Sequence, residues 1–130
     1  MNASQALNAY NSVGVQSAVD GASPYQLIVM LLDGALDRIA SAKGAMERKD
    51  TAKQGALLGK AITIIDNMRA SLDHGQGGEL AERLAALYDY MERRLLEAGA
   101  NADPAGLDEV AELLREIKAG WDAIPAEYRG

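Results

Sequence analysis

The sequence predicts an all-α protein: an antiparallel up-down four-helix bundle with a flexible N-terminal cap segment. Three observations predict it. Apolar residues recur at three- and four-residue steps through four separate stretches. Capping residues stand at the head of the first, second and fourth of them. The links are too short for anything but a reversal of direction, and no alternating strand pattern occurs.

Residues 1–22 are rich in Asn, Ser, Gln, Ala and Gly, a composition biased towards mobility. They still carry Leu7 and Tyr10, candidates for a strap that packs reversibly on the bundle. Ser23-Pro24-Tyr25-Gln26 opens the first helix: Ser23 caps, Pro24 suits the first helical position, and Gln26 completes a capping box. Leu27, Ile28, Leu31, Leu32, Ala35, Ile39, Ala42 and Met46 form its stripe as far as about Arg48. Val29 and Met30 fall outside that stripe, so Tyr25 to Leu32 is apolar nearly all round. Gly34 and Gly44 each cost up to ~1 kcal/mol in helix propensity and are expected to mark close approach of another backbone.

Asp50 caps a second helix reaching Leu72, with Leu57, Leu58, Ala61, Ile65, Met68 and Leu72 buried. Ile62 and Ile64 flank this stripe on opposite sides. The glycines of His74-Gly75-Gln76-Gly77-Gly78 are expected to stop that helix, since glycine takes the left-handed conformation without a Cβ clash. A third helix is expected from about Gly78 to Ala98, with Leu80, Leu84, Leu87, Tyr88, Met91 and Leu95 inward and Tyr90 and Leu96 off the stripe. Asp103-Pro104 opens the fourth, in which Leu107, Val110, Leu114, Ile117 and Trp121 make a heptad-like seam suited to a bundle. Ile124-Pro125 ends it. The expected organisation is a mobile segment 1–22, a bundle 23–124 and a tail 125–130.

At 130 residues the chain suits one domain able to bury its own core. The net charge of −6 argues against nucleic acid and against anionic membranes. No apolar run approaches the ~20 residues of a membrane span, and the N-terminal stretch lacks the features of a secretory signal. A cytoplasmic protein is expected. The chain has no cysteine and a single histidine, His74, so the two Glu-x-x-His pairs of a di-iron bundle cannot be assembled. His74 to Gly78 lacks the strand and the Gly-Lys-Ser/Thr ending of a phosphate loop. Neither enzyme, metal nor cofactor is expected. Arg69, Arg93 and Arg94 read as solvated helix faces; Glu79, Glu82 and Asp103 read as helix-start charges that suit the dipole. What remains is surplus apolar surface: Val29, Met30, Ile62, Ile64, Tyr90 and Leu96 either widen the core or line a groove for a partner's segment.

The succession of motifs is more specific. Ala9-Tyr10 in a polar leader precedes Ser23-Pro24-Tyr25-Gln26-Leu27-Ile28-Val29-Met30-Leu31-Leu32-Asp33-Gly34-Ala35; then come Lys60-Ala61, Ile64-Ile65, Leu72-Asp73, Gly77-Gly78-Glu79-Leu80-Ala81, Leu87-Tyr88-Asp89-Tyr90, Leu107-Asp108-Glu109-Val110 and Trp121. Over nearly the whole chain this resembles the bacterial flagellar export chaperones of the FliS family. The resemblance implies a helical bundle that works without ATP. Its client would be the disordered C-terminal segment of flagellin, kept from premature polymerisation and delivered to the flagellar type III apparatus. It also implies an N-terminal segment, here with Leu7 and Tyr10, that covers apolar surface when no client is bound. Export-gate components or a regulator are further possible partners. The rival reading is a self-associating structural adaptor whose apolar surplus forms a homodimer interface.

Overall fold

The computed structural model describes residues 23–125. Four helices follow one another: α1 (Pro24–Glu47), α2 (Thr51–Ala70), α3 (His74–Ala100) and α4 (Pro104–Asp122), with no strand among the described residues. Each begins where a side chain satisfies an amide left orphaned by the first turn. Ser23 Oγ accepts from Gln26 N while Gln26 Oε1 accepts from Ser23 N, a complete capping box. Asp50, Asp73 and Asp103 accept from the amides of Lys53, Gln76 and Ala105. Between α1 and α2, and between α3 and α4, the chain turns through Lys49 (φ 59°) and Ala102 (φ 48°).

The helices form a ring in which α1 packs on α2, α2 on α3, α3 on α4, and α4 back on α1. All four seams are antiparallel. Gly34 lies against Ile64 across α1–α2, and Gln54 Nε2 donates to Gly99 O across α2–α3. Arg94 meets both Asp103 and Glu109 across α3–α4. On the α1–α4 seam Lys43 pairs with Asp108, and Asp33 with Lys118. Ile28, Leu32, Ile65, Met91, Leu114 and Trp121 are fully buried at the centre. Each such aliphatic side chain stabilises the fold by about 1.5–3 kcal/mol relative to exposure. The Trp121 ring closes the α1–α4 end, 5.7 Å from that of Tyr25.

Two expectations are corrected. The His74–Gly78 glycines do not stop α2, which ends at Ala70 with Ser71 in the right-handed region and Ser71 Oγ donating to Asn67 O. His74 to Gly77 instead form an opening turn of α3, capped by Asp73, and Gly78 at φ 53°, ψ −130° kinks the helix before it continues. No backbone approaches Gly34 or Gly44: a Cβ there would meet side chains, Ile64 Cδ1 at 3.5 Å and Arg48 at 3.2 Å respectively. The tight positions are Gly99, where a Cβ would stand 2.9 Å from Leu58 Cδ1, and Gly106, where it would stand 2.6 Å from Ala98 Cβ.

Candidate functional site

The apolar surplus is divided among three seams rather than gathered on one face. Ile62 and Leu96 are brought together in a hollow of about 290 Å³ between α2 and α3, backed by Leu58 and Leu95. On its α2 wall a Cβ at Gly55 or Gly59 would meet nothing within 4 Å, which leaves room for a partner's backbone to come close. Leu96 is 62% exposed and Ile62 half-buried, so an apolar rim faces water around an apolar floor.

Ile64 lies on the other side of α2. It lines a hollow of about 520 Å³ with Arg38, Ala56, Gly59, Lys60 and Thr63. That hollow shares Arg38 and Lys60 with the next, which in turn shares Ser41 and Leu57 with a third bounded by Gly44, Arg48 and Lys53. The three make one trough along the α1–α2 seam. Val29 and Met30 sit on the first turns of α1, Met30 at 64% exposure. Tyr90 faces the α3–α4 seam, where its hydroxyl donates to Glu109. Leu7 and Tyr10 lie outside the described residues.

Arg94 is not a solvated face, as its sequence position suggests. Its side chain is only 18% exposed, and it reaches Glu109 at 2.9 Å, Glu97 at 3.2 Å and Asp103 at 3.4 Å. Its charge therefore ties α3 to both the link and the first turns of α4. The bonds from Tyr90 and Arg94 hold the Glu109 carboxyl below its ordinary range, and the same contact holds the Tyr90 phenol above its own.

Arg69 also reaches across a seam, to Glu92 at 3.2 Å, besides pairing with Asp66 on its own helix. Glu92 is 14% exposed, and its Oε2 accepts no hydrogen bond because the Arg69 N–H is not aligned on it. Burial pushes the Glu92 carboxyl above its ordinary range; negative Asp66 adds to this and Arg69 opposes it. The folded state thus holds this proton more tightly than the unfolded chain, so the contribution of Glu92 to stability falls as pH rises through its raised value. Glu109 has the opposite sign: its contribution is present above the ordinary carboxyl range and is lost as pH falls through the depressed value. Glu92→Gln is therefore expected to melt above the unaltered chain at pH 7, with the two melts converging below about pH 3, where the carboxyl is neutral in both states. A lower melt for Glu92→Gln at pH 7 would show that the Arg69 attraction outweighs burial.

Among the described residues no group of three His, Asp or Glu side chains could hold a metal ion, and no helix is long and apolar enough to cross a membrane. The surface offers apolar and charged hollows between its helices.

Residues 6–128 match the family described as Flagellar protein FliS. The chain is similar to the flagellar secretion chaperone FliSB of Pseudomonas aeruginosa, at 48% identity over 95% of this chain and 98% of that one. It is 46% identical to the flagellar secretion chaperone FliS of Salmonella typhimurium, covering 95% and 93% of the two chains. To FliS of Vibrio cholerae it is 42% identical, covering 94% and 90%.

Proposed function

The chain belongs to the FliS family of flagellar secretion chaperones, and from that premise we propose that it holds the disordered C-terminal segment of flagellin in the cytoplasm, blocks its premature polymerisation and delivers it to the flagellar type III export apparatus. The observation that carries the client site is the α2–α3 hollow, where Ile62 and Leu96 flank a floor of Leu58 and Leu95 with glycines on its walls. An amphipathic client segment buries its apolar side chains there, and those side chains are then withheld from neighbouring flagellin subunits. The client loses conformational entropy as it orders, which keeps affinity per unit area modest and release possible without a nucleotide. Leu7 and Tyr10 belong to the same reading, as the apolar points of a strap over client-binding surface that the client displaces.

A titration of the full chain with a flagellin C-terminal segment tests this. Leu96→Asp is expected to weaken binding by roughly ten- to a hundredfold, because a carboxylate would have to be desolvated under the client. Its thermal melt should stay unchanged, since Leu96 is mostly in water. Tyr10→Asp should raise the amide exchange of residues 1–20 in the free chain and leave the helices folded. Unaltered client affinity in Leu96→Asp would remove the client from this hollow. A dimer that the peptide does not dissociate, and that Leu96→Asp does, would favour the structural-adaptor reading.

A further inference from the structure

The cations of this chain are unevenly satisfied. Among the described residues, every lysine and arginine outside positions 38–60 pairs with a carboxylate. Inside that stretch only Lys43 does, reaching across to Asp108 on α4. Arg38, Arg48, Lys49, Lys53 and Lys60 have no carboxylate partner among the described residues, and all but Lys49 line the α1–α2 trough. The carboxylates of the same stretch are Glu47 and Asp50, that of Asp50 engaged with the Lys53 amide; Asp37, just before it, is the one carboxylate that lines the trough, against four cations. In a protein of net charge −6, the trough is a local island of positive charge.

We propose that this trough binds an acidic, amphipathic helical segment of a second protein, on the opposite side of α2 from the flagellin hollow. The inference does not depend on the identity of that client. The floor has the profile a helix needs. Leu57 and Ile64 offer apolar contact, while Ala56, Gly59 and Gly44 let a backbone approach; a Cβ at Gly59 would meet nothing within 4 Å. Arg38 on α1 and Arg48 at its C-terminal cap lie ten residues apart, roughly 15 Å at the helical rise, with Lys60 and Lys53 facing them from α2. A complementary segment therefore carries two acidic groups about three helical turns apart, with aliphatic residues between them.

The limited extent of the island selects a short acidic peptide over longer polyanions. Duplex nucleic acid or an anionic bilayer would extend past the trough by more than a Debye length of about 8 Å and meet the acidic remainder of the protein. A segment confined to the seam does not.

The probe is a synthetic helical peptide with glutamate pairs at both ends of a Leu/Ala stretch, compared with its glutamine counterpart. Both are titrated into the full chain, and the amides that shift are mapped. The glutamate peptide is expected to bind at least about tenfold more tightly than the glutamine one at low salt, an advantage that shrinks as ionic strength rises. Shifts should centre on Ser41, Gly44, Leu57 and Lys60. Lys53→Gln/Lys60→Gln should lose about tenfold in affinity, with its melt and its flagellin-peptide affinity unchanged. Equal binding of the two peptides overturns the proposal, as do shifts centred on Ile62 and Leu96, tighter binding of duplex DNA or phosphatidylserine vesicles, or a homodimer that Lys53→Gln/Lys60→Gln dissociates. Loss of flagellin binding in Leu96→Asp leaves this result untouched, so the two readings fail separately.

Discussion

Ile65→Glu is expected to leave no folded bundle, whereas Ile64→Glu, one residue earlier, should melt close to the unaltered chain. Ile65 is fully buried on the core face of α2, among apolar side chains. An uncompensated charge there costs about 4 kcal/mol or more even after the group protonates or the core relaxes. Together with the lost isoleucine packing, this is comparable with the ~5–15 kcal/mol that holds a domain of this size together. Ile64 is half-buried in the α1–α2 trough, and a glutamate in its place lies beside Arg38 and Lys60 with open water to turn into. Urea unfolding of the two variants checks the assignment. A stable Ile65→Glu chain and an unfolded Ile64→Glu chain would mean that the faces of α2 are reversed. The same Ile64→Glu chain, titrated with the flagellin segment, also locates the client: loss of affinity would move it from the α2–α3 hollow to the α1–α2 trough.

The second large effect lies at the crossing of α3 and α4. Gly106→Val is expected to cost about 3 kcal/mol or more, and Gly106→Ala about 1–2 kcal/mol, although alanine is the better helix former. Any Cβ at 106 would stand 2.6 Å from the Ala98 Cβ, and that methyl is fixed to the α3 backbone. It would also stand 2.8 Å from Arg94 Nη1, a guanidinium already held by Glu109 and Asp103. The helices would have to part, loosening both the Arg94 contacts and the packing beneath them. Ala98→Gly in the Gly106→Ala chain removes the opposing methyl and should recover about half the loss, a coupling that a double-mutant cycle measures. Additive losses would show that the crossing is not set by these two positions.

The helices are legible in the sequence because their signals are local. Ser23, Gln26, Asp50 and Asp103 cap as their neighbours predict, and the apolar period carries the rest. The link between α2 and α3 is misread because two signals overlap there: glycine suits the end of one helix, while Asp73 is free to start the next a few residues earlier. Arg94 looks solvated on its own helix, since the carboxylates of Asp103 and Glu109 that enclose it belong to a link and a helix that only the tertiary fold brings near. Gly106 fails to stand out for the same reason: the atom that requires it is on α3. The apolar surplus is visible as a set of residues, but its division is not. Ile62 and Ile64 are two positions apart, about 200° around a helix, so a single α2 serves two different seams.

The ring closes through its most distant partners in sequence. Three of its seams join helices that follow directly along the chain, but α1 meets α4 with Asp33 and Lys118 separated by 85 residues and Lys43 and Asp108 by 65. Those ion pairs stand in contact with water, which screens them, so the long closure depends on apolar contacts such as Tyr25 with Trp121. On the ribosome, α1, α2 and α3 can pair as they emerge, while the stripes that α4 covers wait in water for that helix to be made. For a protein whose proposed task is to shield another chain's unfinished surface, α4 is what ends its own need for shielding.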